Sequence, residues 1–163
     1  MNVKKIVLIS LFIAMCIVGG NVKIFGSIAL DLAPAILGCL LMGPLNGALL
    51  AFLGHMLSAM LVGFPLSIMI HLVIGSTMAL AIYLFGLVRQ KDKAKLKNMI
   101  VSDVLVFVIN SVLAPLALIP FLGLSMIVSL ILPLVIASSI NIILAEVIYV
   151  SLPATVMARL DVE

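Results

Sequence analysis

The hydrophobic residues of this chain form long runs, separated by short breaks that contain Gly, Pro or charged residues. The runs are apolar on all sides, so their length decides the element type, and strands would be shorter. A helix satisfies its own backbone polar groups in lipid. The alternating polar positions that would line a β-barrel are not seen. Six membrane-spanning helices are predicted, at Ile6–Val18, Ile28–Met42, Leu45–Val62, Leu66–Val88, Met99–Ile119 and Leu124–Leu152.

The composition identifies lipid as the solvent for most of the chain. Of 163 residues, 66% are hydrophobic and 9% are charged, whereas a soluble domain carries about 25% charged residues. So few charges cannot cover the surface of a soluble fold, which excludes a soluble enzyme, a disordered tail and a nucleic-acid-binding module. Each span with its loop takes about 27 residues. We therefore expect one all-α transmembrane bundle over residues 1–163.

The distribution of Lys and Arg predicts the orientation in the bilayer. With six spans, Lys4 and Lys5 share a side with the basic loop 89–97 and with Arg159, whereas Lys23 lies on the other side. The positive-inside rule then places both termini in the cytoplasm. The chain has no GxxxxGK[ST], GxSxG or HExxH motif, so the sequence shows no machinery for ATP binding or hydrolysis by a nucleophile or metal.

A few polar side chains remain inside the predicted spans, where such groups are costly and face protein or water. Asp31 lies in the first turn of the second span, where capping that helix is the alternative to ligand contact. His55 and His71 lie roughly 9–12 Å beneath the outer face on consecutive helices, so they could share one pocket or simply join two helices. Asn110 and Asn141 lie midway along the fifth and sixth spans and could form the floor of a cavity open to the outside.

Three further residues complete the candidate ligand set. Ser58 belongs to a stripe of small residues that includes Gly47 and Gly54, a pattern that favours close helix packing. Phe25 in the first outer loop and Phe64 in the turn before the fourth span could stack on a flat ring or anchor at the membrane interface. The two histidines alone do not make a metal site, and no cofactor is expected.

The first span carries a possible docking motif. Ser10 and Ala14 are four residues apart, and a small-xxx-small pattern permits close approach of another helix. That helix could belong to this chain or to another membrane subunit.

Several of these stretches together resemble the substrate-binding S component of energy-coupling factor (ECF) vitamin transporters. The resemblance covers essentially the whole chain and is carried by residues 26–37, the turn Gly43-Pro44-Leu45-Asn46-Gly47, Gly54-His55-Met56-Leu57-Ser58, and Gly63-Phe64-Pro65 with His71. It implies a prokaryotic plasma-membrane subunit that captures a vitamin or vitamin precursor from outside. It also implies association with a transmembrane coupling subunit and two ATPase subunits. Docking would use the first helix, where the family often has Ala-xxx-Ala and this chain has Ser10-xxx-Ala14.

The histidine and turn pattern looks most like the branch that takes up α-ribazole, a nucleoside precursor of cobalamin. Neutral hydrogen-bonding side chains suit a ribose and a heterocycle. Another vitamin stays open as the cargo; anionic pantothenate would need a fixed cation, for which Lys23 is the candidate. Two alternatives come from other classes: a small membrane enzyme with a histidine acid–base pair, and a structural subunit whose polar groups hold helices together.

Overall fold

The computed structural model describes residues 3–22, 29–90 and 95–160, and every regular element within these ranges is helical. The all-α prediction is confirmed for this part of the chain. The helices are α1 (Val3–Asn21), α2 (Leu32–Met42), α3 (Pro44–Leu61), α4 (Ile68–Arg89), α5 (Leu96–Ala117), α6 (Ile119–Leu122), α7 (Leu124–Ser151) and α8 (Ala154–Leu160).

Five of these helices are long and apolar enough to cross a membrane, namely α1, α3, α4, α5 and α7. The second predicted span is shorter than expected. Its described helix α2 has 11 residues and a length of about 16 Å, roughly half of a 30 Å hydrocarbon core. Residue 28, where that span was predicted to begin, lies outside the described residues. The described helices include five candidates for membrane spans. The sixth span expected from the sequence therefore remains a prediction.

Helix α2 forms the centre of the bundle. Nine consecutive residues, from Leu32 to Leu40, are buried, and α2 contacts α1, α3, α4 and α7. The helices around it expose many large aliphatic side chains, such as Leu132 and Val150. Those exposed side chains face lipid in a membrane, whereas α2 is covered by protein on all sides. A helix buried all round needs no polar face, which is why its sequence shows no periodicity.

Glycines in α3 allow it to lie directly against α1 and α2. A Cβ atom on Gly47 would collide with Cys39 of α2, and one on Gly54 would collide with Cys16 of α1. The prediction that the small-residue stripe packs helices is confirmed at these two glycines. Both cysteines are buried, and neither forms a disulfide.

The α3–α4 connection, residues 62–67, has an unusual backbone. Phe64 and Leu66 have φ values of 50° and 71°, the left-handed region that non-glycine residues rarely adopt. The N–H of Phe64 donates to the carbonyl of Ala59 at 2.8 Å. At the other side of the connection, the hydroxyl of Ser67 accepts from the N–H of Ile70 and caps α4.

Helix α5 contains a π-helical turn at Ile109–Leu113. Pro115 follows this turn, and a proline cannot donate to the carbonyl four residues earlier and collides with it. A π turn shifts the hydrogen-bond ladder by one residue, which accommodates the proline and rotates the side chains before it. Asn110 lies in this turn.

Candidate functional site

Asp31, His55 and His71 form a continuous hydrogen-bonded chain, which we call the histidine chain. His55 Nδ1 lies 3.1 Å from Asp31 Oδ2, and His55 Nε2 lies 3.1 Å from His71 Nδ1. The chain ends at the carbonyl oxygen of Pro65, 3.0 Å from His71 Nε2. Side chains from the start of α2, from α3 and from α4 are thereby joined to the α3–α4 connection. The sequence analysis left open whether His55 and His71 meet, and in the structure their rings are in direct hydrogen-bond contact.

Asp31 occupies the position before α2 but makes no capping bond with its side chain. Its carboxylate bonds to His55 instead. The alternative that the Asp31 side chain caps α2 is therefore not what the structure shows. His55 and Asp31 side chains are only 14% and 11% exposed. A carboxylate that is mostly removed from solvent needs such hydrogen-bond partners.

Two other predicted residues surround the histidine chain. The Phe64 ring lies 5.8 Å from the ring of His71, centroid to centroid. Ser58 is buried one helical turn after His55, and a Cβ on Gly20 of α1 would collide with the Ser58 hydroxyl and contact Asp31. The structure therefore gathers Asp31, His55, Ser58, His71 and Phe64 at one end of the bundle, which we call the histidine end.

Asn110 lies elsewhere, on the wall of a cavity of about 180 Å³ between α4, α5, α6 and α7. Its Nδ2 donates to the Ser138 hydroxyl of α7 at 2.8 Å. The other walls are apolar and include Leu66, Ile70, Ile74, Ala114, Leu118 and Leu134. Small-molecule sites are usually apolar cavities with a few polar groups, and here Asn110 is such a group.

The cavity and the histidine chain are neighbours that share α4 and the α3–α4 connection. His71 of α4 contacts α3, whereas Ile70 and Ile74 line the cavity. In the connection, Pro65 accepts from the histidine chain and Leu66 lines the cavity. Sequence reasoning included Pro65 in the Gly63–Pro65 turn but missed Leu66, the next residue. Its closeness in sequence to Phe64 was the available signal.

The remaining predicted ligand residues are Asn141 and Phe25. All three bonds of the Asn141 amide are internal: they go to the backbone of Ala29, Ala33 and Ala137. It does not line the cavity that contains Asn110. Phe25 lies outside the described residues, so its predicted role stays a prediction.

The histidine chain does not have the geometry of a metal site. One ring nitrogen of His55 bonds to Asp31 and the other bonds to His71. The three side chains therefore form a line and do not converge on one point. A metal ion needs ligands directed at a common centre. Among the described residues, no group of three or more His, Cys, Asp or Glu is placed to hold a metal ion.

The predicted docking motif lies on the outside of the bundle. Helix α1 buries Leu8, Phe12 and Cys16, whereas Ser10 and Ala14 are exposed on another face. The Ser10–Ala14 pair is therefore not used for packing α1 against the described helices. Ala14 lines an apolar groove of about 370 Å³ between α1, α2 and α7.

Comparison with known proteins gives a family match. Residues 4–153 match the family model described as ECF transporter, substrate-specific component. No curated protein and no solved structure matches the chain.

Proposed function

Because the chain belongs to the family of ECF transporter substrate-specific components, we propose that it captures a vitamin precursor, with α-ribazole as its cargo. A protein of this family is the substrate-binding membrane subunit of an importer and not an enzyme. The cargo is therefore expected to leave the protein chemically unchanged.

The observation that carries the choice of cargo class is the cavity beside Asn110. Its walls are almost entirely apolar, and Asn110, which donates to the buried Ser138 behind it, is the one polar side chain among the described residues that line it. A flat heterocycle fits apolar walls, and a ribose hydroxyl can donate to the Asn110 carbonyl oxygen. The aromatic ring of Phe64 in the adjoining connection would cover the site. Among the described residues no cation lines the cavity, so these walls offer an anion such as pantothenate no charged partner. Lys23, the candidate cation for pantothenate, lies outside the described residues.

The volume of the cavity indicates that the site opens to admit its cargo. A volume of about 180 Å³ is below the roughly 300–1,000 Å³ of pockets that bind ligands of nucleoside size. Leu66 of the α3–α4 connection forms part of the wall. Displacement of this connection would enlarge the cavity without changing the helices. We assign the connection as the lid of the site.

The groove beside Ala14 is assigned to the coupling subunit. Ala14, one member of the exposed small-xxx-small pair on α1, lines this groove together with apolar walls from α2 and α7. Small exposed residues of this kind allow a helix of another subunit to approach closely. The coupling subunit would bring the two ATPase subunits to the cytoplasmic face. In this arrangement the histidine end faces outside and the chain termini face the cytoplasm, in a prokaryotic plasma membrane.

The test is analysis of small molecules that copurify with the detergent-solubilised protein, by mass spectrometry, followed by calorimetric titration with α-ribazole and with pantothenate. Copurified, unmodified α-ribazole and saturable binding of it support the proposal. Binding of pantothenate alone would replace the proposed cargo by another vitamin. Conversion of an added nucleoside to a product would instead support the alternative of a membrane enzyme with a histidine acid–base pair. If neither compound binds, the alternative of a structural subunit would be favoured.

A further inference from the structure

The histidine chain has hydrogen-bond acceptors at both of its ends. The carbonyl oxygen of Pro65 can only accept, and an ionised Asp31 carboxylate can only accept. Between them lie His55 and His71, whose four ring nitrogens all take part in the three hydrogen bonds. Each bond requires one hydrogen. The three bonds therefore require three hydrogens in total.

Two neutral imidazoles supply only two of these hydrogens, because each carries one N–H. The third must be an additional bound proton. With that proton, the carboxylate and the two histidines have a net charge of zero; without it, their net charge is −1. A neutral assembly is favoured where the side chains are mostly removed from solvent, as those of Asp31 and His55 are.

We propose that Asp31, His55 and His71 form a proton-binding site whose bound proton fixes the α3–α4 connection. His55 carries the proton as an imidazolium, because it lies directly between the Asp31 carboxylate and a ring nitrogen that can accept. His71 is then the neutral Nε2–H tautomer: its Nδ1 accepts from His55, and its Nε2–H donates to the Pro65 carbonyl. This assignment does not depend on the identity of the cargo.

The charged and titratable groups near this site are few. From α1, the Cys16 thiol interacts electrostatically with Asp31; α2, α3 and α4 contribute the three members themselves. Tyr83 and Arg89 are 12 and 18 residues after His71 on α4, which is about 18 Å and 27 Å along the helix. Among the described residues that contact this site, none supplies a fixed cation that would make the bound proton unnecessary.

Loss of the proton leaves two hydrogens for three hydrogen bonds, so either the Asp31–His55 bond or the His55–His71 bond is lost. His71 can still donate to Pro65, but the α3–α4 connection is then no longer joined through both histidines to Asp31. The connection contains Phe64 and Leu66 in left-handed conformations, which persist only where surrounding contacts enforce them. Leu66 also lines the cavity. A rise in pH should therefore release the connection and open the cavity, whereas a fall in pH should close it.

The chain contains only two histidines, so the signals of both can be assigned by NMR. It contains no tryptophan, so an introduced tryptophan would report on a single position. ¹⁵N-histidine NMR of the detergent-solubilised protein, with His55→Gln used for assignment, reports the protonation of each ring nitrogen. With the proton bound, we expect both ring nitrogens of His55 to be protonated and only Nε2 of His71. Two neutral imidazoles with the hydrogen of His55 on Nδ1 would show that the chain holds two hydrogens, and would overturn the proposal.

Two variants test the origin of the bound proton. In Asp31→Asn the extra proton would leave a net positive charge, so we expect the imidazolium signal to be lost. Asp103→Asn is the matched control, because Asp103 lies on α5 and lines another cavity; its imidazolium signal should persist. Retention of the signal in Asp31→Asn would overturn the role of the carboxylate. If that variant does not fold, the wild-type spectrum still decides the proton count.

A single tryptophan introduced as Phe64→Trp tests the coupling to the connection. Its fluorescence emission should change between about pH 5 and pH 9 in step with the loss of the His55 proton seen by NMR. In Asp31→Asn/Phe64→Trp the emission should stay constant over that range. Constant emission in Phe64→Trp alone, while NMR records loss of the proton, would overturn the proposed control of the connection. Because no cargo is added, these results are independent of the proposed substrate.

Discussion

Asn141 of α7 caps α2 through the backbone N–H of Ala33, which donates to Asn141 Oδ1 at 2.7 Å. Ala33 is the second residue of α2, and the first N–H groups of a helix have no partner within it. The Asn141 amide also donates to the carbonyls of Ala29 and Ala137 at 2.9 Å and 2.8 Å. One side chain thus satisfies backbone groups on both sides of the α2 start, in a bundle where water is scarce.

Removal of this amide is expected to destabilise the protein while preserving its packing volume. Asn141→Leu is nearly isosteric but leaves the buried N–H of Ala33 without an acceptor, so the free energy of unfolding should fall by about 1–3 kcal/mol. The measurement is reversible unfolding in mixed detergent micelles. Ser139→Ala is the control, because the Ser139 hydroxyl bonds only to Val135 in its own helix. An equal loss in both variants would show that the α2 cap contributes nothing.

A buried ion pair holds α4 to α7 at the opposite end of the bundle. Arg89 Nη2 lies 2.7 Å from Glu146 Oε2, and the Arg89 side chain is only 3% exposed. Glu146→Leu would leave a buried guanidinium without its carboxylate, so we expect a loss of about 3–5 kcal/mol in the free energy of unfolding. The double variant Arg89→Leu/Glu146→Leu should lose less than the single variant. A double variant that is less stable than Glu146→Leu would contradict this account.

The sequence was sufficient to predict that the two histidines lie at a similar depth, but it left open whether they meet. His55 and His71 lie on consecutive antiparallel helices, so their distances from the intervening turn determine their depths at 1.5 Å per residue. The close packing of Gly47 and Gly54 was predictable for a similar reason, since small residues at helical spacing let another backbone approach. Depth along a helix and residue size are both read directly from sequence.

Rotation about a helix axis was not predictable in the same way. Helices that are apolar on all sides give no periodic signal for which face meets which neighbour. Asn110 and Asn141 lie at mid-helix as expected, yet one lines a cavity and the other caps α2. The π turn at Ile109–Leu113 further rotates the face that carries Asn110. The sequence also did not indicate that α2 is a short core helix, because a buried core helix and a membrane span require the same apolar residues.

A bulky residue at the docking groove should separate transport from binding. Ala14→Trp would fill the groove between α1, α2 and α7 without entering the cavity beside Asn110. We expect uptake by cells that contain the coupling and ATPase subunits to fall at least about tenfold, which corresponds to roughly 1.4 kcal/mol of lost association. Binding of α-ribazole by the isolated chain should be unchanged. Val101→Trp on the exposed face of α5 is the control, and equal effects of the two substitutions would reject the groove as the docking site.

The cavity itself can be tested with a pair of alanines in the same helix. Ala114 is buried and lines the cavity, whereas Ala117 is exposed three residues later. Ala114→Phe would occupy much of a volume of about 180 Å³, so the proposed cargo could no longer enter. We expect its affinity to fall by at least about a hundredfold, or 2.7 kcal/mol, in calorimetric titration.

Ala117→Phe adds the same side chain at an exposed position that is not among the residues lining the cavity. This variant should bind the cargo as the unaltered protein does. Overpacking could also destabilise the Ala114 variant by about 1–3 kcal/mol, so the unfolding free energy of both variants must be measured beside their affinity. Loss of affinity in a folded Ala114→Phe protein, with normal affinity in Ala117→Phe, would locate the cargo in this cavity. Normal affinity in both would place it elsewhere, and the histidine end would then be the remaining candidate because it holds the other gathered polar groups.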